Sequence, residues 1–327
     1  VYLSTKMNRM AIHSRDDMDK MLEHQLENLR TDHIDFYFIH NVISYSELKQ
    51  LVELGLYEFI KENKQNGKIR NMGFSYHGSY NDFERIVEEY DWDVTLLQYN
   101  YLDENMQAGI KGIRLANEYG MAVIIMEPLK GGLLAGTMPR DIERQITNSS
   151  TKRSNVDLAL SWIYDTSEVT CVLSGMNSMD MIKENIQITE NHLSNPLNDE
   201  ENRLIEDIRS LLIDLNKINC TGCNYCMPCP QCINIPDIFK LYNDKYLFPE
   251  NKKFGIHQNT IRYAANILGV IGNPHDPSLC VDCGLCATKC PQQLEIPKLI
   301  RKVNGDFHGK SIKRLIPLIR KVMKYVM

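Results

Sequence analysis

The chain contains 327 residues, of which 43% are hydrophobic and 24% charged, and it carries a formal net charge of −5. This length indicates one large or two medium domains, and the apolar fraction is sufficient for a sizeable buried core. No apolar run is long enough to span a bilayer and no secretory leader is visible at the start, so the sequence favours a cytoplasmic protein over a membrane or secreted one.

From residue 1 to about residue 190, short apolar runs alternate with charged, amphipathic stretches. The runs are nearly continuous in hydrophobic residues, as strands buried on both faces require. They comprise residues 1–5, 34–40, 69–75, 93–100, 121–129 and 169–175. Six strand–helix units of this kind predict an α/β fold with a parallel sheet and right-handed crossovers.

Two of the intervening stretches predict well-defined helices. Residues 14–30 place apolar residues at helical spacing, and residues 46–67 do so up to Gly67, a favourable stop signal. The predicted inner face of the first helix comprises Met18, Met21, Leu22, Leu26 and Leu29.

The pattern changes after residue 195. Residues 196–219 predict one amphipathic helix with Asn198 as its N-cap. Two cysteine-rich segments follow, separated by a helix-compatible stretch from about 235 to 271. We therefore place a domain boundary near residue 217.

Polar side chains end five successive predicted strands. They are Lys6, His40, Ser75, Gln98 and Glu127 with Pro128. Ligands of parallel α/β folds bind at the carboxyl ends of the strands. A Lys and a His on neighbouring strands can act together on a carbonyl, because the His donates a hydrogen bond and the ammonium lowers the pKa of a proton donor. Any one of these residues is more often structural, but the repeated pattern indicates a site.

Nine of the ten cysteines lie within residues 220–232 and 280–290. The spacing C-x₂-C-x₂-C lets three thiolates converge on a cubane cluster, and a fourth Cys before Pro typically binds the other cluster of a two-cluster protein. The predicted metal ligands are Cys220, Cys223, Cys226, Cys229, Cys280, Cys283, Cys286 and Cys290. Structural zinc is the alternative, although zinc ribbons lack the third Cys and the Cys-Pro ending. Metal-ligand spacing in an otherwise cysteine-poor chain also indicates a reducing compartment.

The first 190 residues resemble the aldo-keto reductases. The resemblance rests on STK, DFYFIHN, GKIRNMGFS, LLQYN, IMEPLKGGLL and LSGMNSMDMIKEN, which occur in family order and spacing. The whole chain resembles the branch in which such a barrel is fused to a C-terminal ferredoxin-type domain with two [4Fe-4S] clusters. The resemblance implies a TIM (β/α)8-type barrel that binds a nicotinamide cofactor, NAD(P)H, without a Rossmann fold, and the chain contains no G-x-G-x-x-G after a strand.

Individual roles follow from the resemblance alone. It implies that Lys6 and His40 are catalytic. The implied cofactor-binding residues are Ser75, Gln98, Glu127, Pro128, Leu129, Gly131, Ser174, Gly175, Glu184 and Asn185. The implied domains are a partial barrel over 1–217, a mostly helical ferredoxin-type domain over 218–300 and a basic helical tail over 301–327. The tail is interpreted as a solvated helix face rather than a segment that contacts an acidic partner, a membrane surface or nucleic acid.

The chain also departs from the family pattern. Val1 stands inside an apolar run, and the family's first two strand–helix units, which carry its catalytic Tyr and Asp, are absent. We therefore expect missing upstream sequence and negligible activity of this chain alone. Tyr76 replaces the usual Asn, and Met126 stands where many members stack a Tyr on the nicotinamide. Lys183 is the only cation near the expected 2′-phosphate position, so the preference between NAD and NADP stays open.

The sequence predicts an oxidoreductase that transfers hydride between a nicotinamide and a carbonyl or alcohol, coupled to iron–sulfur electron transfer. A ferredoxin, a flavoprotein or a quinone is the expected electron partner. A non-catalytic redox sensor and an electron-transfer subunit are the alternatives. Nine clustered thiols exceed the eight ligands of two clusters, and Cys232, which precedes Ile233 rather than a proline, is the expected spare residue.

Overall fold

The computed structural model describes residues 1–253, 256–268 and 275–307. By their internal contacts, the residues form two compact units. The first comprises Val1–Lys130 and Arg153–Asn202, and the second comprises Gly131–Lys152 and Arg203–Met327. The predicted basic tail lies outside the described residues from residue 308 onwards. The domain boundary near residue 217 stays a prediction.

The first unit contains a six-stranded sheet. Its strands are β1 (Ser4–Met7), β2 (Ile34–Val42), β3 (Ile69–Tyr76), β4 (Val94–Gln98), β5 (Ala122–Met126) and β6 (Cys171–Val172). Each strand pairs in parallel with the next one along the chain, so the spatial order equals the sequence order. This arrangement confirms the predicted α/β fold, with successive strand–helix units as in a (β/α)8-type barrel.

Helices occupy most of the connections. The α-helices of the described residues are α1 (Arg15–Leu29), α2 (Tyr45–Glu53), α3 (Leu56–Gln65), α4 (Tyr80–Glu89), α5 (Gly109–Glu118), α6 (Arg140–Asn148), α7 (Asn155–Tyr164), α8 (Met179–His192), α9 (Asp199–Leu215), α10 (Ile235–Leu247), α11 (Gln258–Arg262), α12 (Leu285–Thr288) and α13 (Ile296–Phe307). In the described part of the chain, no helix is both long and apolar enough to cross a membrane.

The sheet is covered on both faces, as its apolar strands predict. Tyr37 and Ile39 of β2 belong to the large cluster formed with the helices, whereas Phe38 packs with Val94 and Leu96 in a separate cluster. Alternate residues of a strand point to opposite faces, so the two clusters lie on opposite sides of the sheet. Gly73 of β3 makes this packing possible, because a Cβ there would lie 1.9 Å from the Val94 carbonyl oxygen.

Both predicted helical regions are helical in the structure, with two differences from the prediction. The Ser14 hydroxyl caps α1, whose inner face is as predicted except that Leu29 is 44% exposed. The single helix predicted over 46–67 was wrong. It divides into α2 and α3 at Gly55, whose φ of +90° favours glycine and interrupts the helical path.

Asn198 caps α9, as the sequence predicts. Its side-chain oxygen accepts from the backbone N–H of Glu201 at 3.0 Å, and the Glu201 carboxylate accepts from the Asn198 N–H at 3.1 Å. The two reciprocal bonds form a capping box, which explains why this helix begins where the composition changes.

The second unit has its own core. Residues of α10 and α13, including Phe239 and Val303, form one buried cluster with partly buried cysteines packed against it. The helix-compatible stretch from 235 to 271 is not continuous. After α10, Lys252–Lys253 pairs antiparallel with Ile256–His257, and α11 follows. The second unit is thus a mostly helical domain that brings the cysteine segments to its core.

Candidate functional site

Lys6 and His40 lie on neighbouring strands, β1 and β2, and both side chains are half-buried. Burial lowers the pKa of Lys6. Burial also lowers the pKa of His40, and the charges of Lys6 and Arg9 lower it further. His40 is therefore a neutral imidazole near neutral pH, within the electric field of Lys6. The structure brings the two predicted catalytic residues into one electrostatic environment.

Ser75 joins the ends of β2 and β3. Its side chain is 2% exposed, and its hydroxyl oxygen accepts from the Asn41 N–H at 2.7 Å. The hydroxyl also donates to the Ile39 carbonyl oxygen at 3.4 Å. Ser75 therefore lies next to His40 in the fold, and its hydroxyl oxygen keeps a second lone pair that can accept from a ligand.

Gln98 ends β4 within a buried polar network. Its amide nitrogen donates to Asp103 Oδ2 at 2.8 Å, and its amide oxygen accepts from Gln107 at 3.2 Å. Asn100 donates to the same Asp103 oxygen and also to the Glu127 carbonyl oxygen, at 3.2 and 3.0 Å. Lys130 forms an ion pair with Asp103 Oδ1. The end of β4 is thus tied to the loop that follows β5.

His77 belongs to this region but was not among the predicted site residues. It directly follows β3, is 7% exposed and has its pKa lowered to about 4, mainly by burial, whereas a hydrogen bond with the Gln107 side chain acts to raise the pKa. The charge of His40 also acts on it. Its position directly after a predicted strand was the available signal.

Tyr76 does not take the role of the Asn that it replaces. Its ring packs against Phe74 and Phe83, and its hydroxyl donates to the Ser79 carbonyl oxygen at 2.7 Å. Burial raises the pKa of Tyr76. This side chain supports the core and α4, so His77 is the neighbouring residue that faces the polar network.

The loop after β5 carries the predicted pyrophosphate-binding residues. Glu127 and Lys130 have φ values of 55° and 47°, in the left-handed region. Pro128 and Leu129 lie between them. Gly131, the first residue of the second unit, has φ +62°, and a Cβ there would lie 2.1 Å from the Thr221 carbonyl oxygen. Only glycine permits this approach of two backbone segments within the second unit.

Of the cofactor-binding residues predicted after β6 and on α8, Ser174 and Asn185 are in contact. Ser174 and Gly175 follow β6, and Glu184 and Asn185 belong to α8. The Asn185 amide donates to the Ser174 hydroxyl at 3.0 Å, and the Ser154 hydroxyl donates to Glu184 at 3.2 Å. A cavity of about 250 Å³ is lined here by Leu160, Tyr164, Val172, Ser174, Met176, Asn185, Ile186, Thr189 and Glu190.

Four predicted cluster ligands surround one cavity of the second unit. Cys220, Cys223, Cys226 and Cys290 line it, together with apolar residues of α10 and α13. Burial raises the pKa of Cys226 to about 12, and the other three cysteines contribute. Burial also raises the pKa of Cys286, on which Cys280 and Cys229 act. The first group thus combines three cysteines of the first motif with the last cysteine of the second, and Cys229 of the first motif lies near Cys280 and Cys286 of the second.

These thiols have the donor chemistry that an iron–sulfur cluster requires. All ten cysteines are free thiols. Crowded, buried thiols resist ionisation alone, and a bound cationic iron centre compensates their charges. In residues 1–253, 256–268 and 275–307, no three Cys, His, Asp or Glu side chains form a group that could hold a single metal ion.

Cys232 lies outside the cavity lining. Its side chain is exposed, its φ is 55°, and its carbonyl oxygen is 2.6 Å from His275 Nδ1. Its role as the spare cysteine stays a prediction.

The fold and the site define a barrel-type oxidoreductase domain followed by an iron–sulfur domain. The sequence profile of the Aldo/keto reductase family matches residues 1–209, and that of a 4Fe-4S dicluster domain matches residues 219–295. The first match covers more than half of the chain. The chain therefore belongs to the aldo/keto reductase family, and its architecture is the fused one that the sequence predicts.

Individual relatives support this assignment. The chain is 24% identical over 194 residues to the NADH-specific methylglyoxal reductase of Escherichia coli (strain K12), a match that covers 52% of the chain. The chain spans 58% of the length of that relative.

Two solved structures show a similar fold. The holo form of the aldo-keto reductase AKR11C1 from Bacillus halodurans has a TM-score of 0.53 and 24% identity, over 64% of this chain and 72% of that one. The apo form has a TM-score of 0.51 and 25% identity, over 64% and 71%.

Proposed function

We propose that this protein transfers hydride between NAD(P)H and a small carbonyl or alcohol substrate, coupled to electron transfer by two [4Fe-4S] clusters. The observation that carries the first part is the pairing of Lys6 and His40 on adjacent strands, where the charge of Lys6 contributes to the lowered pKa of His40. Nicotinamide supplies the hydride when bound, and iron–sulfur clusters carry single electrons.

His40 and Lys6 have different tasks in this proposal. A neutral imidazole can donate one N–H hydrogen bond to the substrate oxygen. The Lys6 ammonium stabilises negative charge that develops on that oxygen or on its proton donor, and partial burial strengthens this interaction. Gln98 and Ser75 would hold the carboxamide of the nicotinamide at the adjacent strand ends.

Deuterium transfer tests the hydride step directly. NADH labelled with deuterium on one face or on the other of the nicotinamide C4 is incubated with methylglyoxal, a probe suggested by the name of the Escherichia coli relative, and with a form of the protein that includes the expected upstream segment. We expect deuterium on the carbinol carbon of the product from one of the two labelled cofactors. Tight NADH binding without any deuterium transfer would instead favour the redox-sensor function.

We further propose a preference for NADH over NADPH. Glu190 lines the cavity beside Asn185 and Ser174, and a carboxylate there repels the 2′-phosphate of NADP. We expect Glu190→Arg to strengthen NADPH binding about tenfold relative to NADH, the effect of one charge-assisted contact. Titration calorimetry with both cofactors measures this ratio. Equal affinities in the wild type would contradict the proposed preference.

We propose that the clusters follow the crossed ligand pattern. Cys220, Cys223, Cys226 and Cys290 would hold one cluster, which the cavity lining supports. Cys229, Cys280, Cys283 and Cys286 would hold the other. Carbonyl reduction by hydride needs no iron, so a soluble ferredoxin, a flavoprotein or a quinone is the proposed electron partner, in a reducing cytoplasm.

A further inference from the structure

The ion pair between Asp103 and Lys130 is the most deeply buried one among the described residues. The two side chains are 3% and 2% exposed. Burial lowers the pKa of Lys130, while the Asp103 carboxylate acts in the opposite direction. Removing two charges from water is costly, and a buried pair often contributes little net stability compared with apolar residues of the same size. Stability alone therefore does not account for charges at this position.

The contacts of Asp103 point to the amide of Gln98. An ionised carboxylate only accepts hydrogen bonds, so the group of Gln98 that faces Asp103 must be the amide nitrogen. The Gln107 amide nitrogen donates to the opposite atom, which must therefore be the Gln98 oxygen. Together the two contacts fix the orientation of an amide that would otherwise flip between two nearly equivalent positions.

Lys130 contacts the second carboxylate oxygen of Asp103. Its ammonium pairs with Oδ1, which leaves Oδ2 for Gln98 and Asn100. This contact fixes the rotation of the Asp103 carboxylate, so that Oδ2 faces the Gln98 amide nitrogen. The positive φ of Lys130 directs its side chain from the loop after β5 toward the end of β4.

We infer that Asp103 and Lys130 are positioning residues that orient the Gln98 amide for the carboxamide of the nicotinamide. This inference rests on the proposed function, because it assigns a purpose to residues around the nicotinamide end of that site. The pair acts through Gln98 and does not itself contact the reacting atoms.

The test compares two ligands that differ in the nicotinamide end. NADH carries the carboxamide, whereas ADP-ribose carries the adenine and pyrophosphate portions without it. Affinities are measured by calorimetry on the full chain for the wild type and for Asp103→Asn. We expect the dissociation constant of NADH to rise about tenfold, as for one misplaced buried hydrogen bond, and that of ADP-ribose to change by less than about twofold.

A double variant without either charge keeps the test possible if Asp103→Asn does not fold. Asp103→Asn leaves the Lys130 charge buried without its counter-ion, which is strongly destabilising. The combined variant Asp103→Asn with Lys130→Met removes both charges and keeps the side-chain volumes similar. Asp35→Asn is the matched control, because Asp35 is 4% exposed and pairs with Arg70 at the opposite, N-terminal ends of β2 and β3.

A double-mutant cycle separates positioning from general loosening. If Asp103 acts through Gln98, Asp103→Asn has no additional effect on NADH affinity in a Gln98→Ala background. Equal losses for NADH and ADP-ribose, or additive effects in the cycle, would overturn the inference while leaving the proposed function intact. A wild-type protein that binds ADP-ribose but gains no affinity from the nicotinamide would overturn both.

Discussion

The first unit connects its buried polar groups to one another, whereas the second unit gathers thiols around a cavity. At the strand ends of the first unit, Asp103 accepts from Gln98, Asn100 and Lys130. Around the cavity of the second unit, each neighbouring cysteine makes ionisation of Cys226 less favourable. The polar groups of the first site already bond to one another. The thiols of the second site need a cationic centre to balance the negative charge of their ionised forms.

This difference teaches what each site depends on. A satisfied polar network keeps its geometry when the ligand leaves, because every donor has an acceptor within the protein. Thiols brought together for a cluster gain their main partner only from the cluster. We therefore expect substitutions at the first site that leave no buried charge unpaired to lose function with the fold retained, and substitutions of cluster ligands to lower the stability of the second unit.

The largest expected effect concerns the cluster ligands. Cys229→Ser removes one proposed ligand, so iron and sulfide content should fall by about half, since one of two clusters is lost. The second unit should also melt at a lower temperature, because one of its two clusters no longer stabilises it. Iron and sulfide analysis with electron paramagnetic resonance of the reduced protein measures the first effect, and calorimetry the second.

Cys232→Ser is the matched control for that prediction. It lies three residues farther along the same segment and precedes Ile233, whereas Cys229 precedes Pro230 and acts on Cys286, so full cluster content should remain. The reverse result, with Cys232 needed and Cys229 dispensable, would show that Cys232 is the ligand.

The next effect concerns His40 in the first unit. In an active form of the protein, His40→Ala should lower kcat about 10²–10³-fold, the usual contribution of a positioned hydrogen-bond or proton donor. The NADH dissociation constant should change by less than about threefold, because the proposed contact is with the substrate oxygen. Steady-state kinetics and calorimetry provide the two numbers. A large loss of NADH affinity would place His40 on the cofactor instead.

His77 should make the first unit sensitive to acid. Its pKa falls from 6.5 to about 4 on folding, so the unfolded chain binds the proton more readily between these values. The stability that depends on neutral His77 is present above pH 6.5 and lost as the pH falls toward 4, in total about 3 kcal/mol.

His77→Gln removes the titrating group while keeping a polar side chain. We expect the free energy of unfolding of the variant to vary less between pH 6.5 and 4 than that of the wild type. Urea titrations across this range measure the slope. If the free energy of unfolding changed equally with pH in both proteins, the pKa of His77 would not differ between the folded and unfolded states, and the prediction would be wrong.

The smallest expected effect is on stability, and it is tested by substituting two adjacent glycines. Gly131→Ala places a Cβ in the left-handed region and 2.1 Å from the Thr221 carbonyl oxygen, and should cost about 3 kcal/mol of stability in the second unit. Gly132→Ala shares the positive φ but has no atom within 4 Å of the added Cβ, so it should cost about 1 kcal/mol. Chemical denaturation gives both values. Equal costs would mean that the backbone contact with Thr221 yields without strain.

The sequence by itself determined the features that depend on local periodicity and spacing. The six strands follow from apolar runs, the start of α9 follows from Asn198, and the cluster chemistry follows from the C-x₂-C-x₂-C pattern. Each of these signals lies within a short segment, where the backbone period fixes which side chains lie together. The sequence did not predict the interruption at Gly55, because the apolar pattern continues across it.

Only the tertiary structure decided which distant residues meet. Asp103 and Lys130 are 27 positions apart, and no pattern in either segment indicates that they form a buried pair. The same holds for His77, which differs from a loop histidine only through its burial beside Gln107 and His40. Parallel strands bring their carboxyl ends together through crossovers of many residues, so contacts at that edge depend on packing and register rather than on sequence separation.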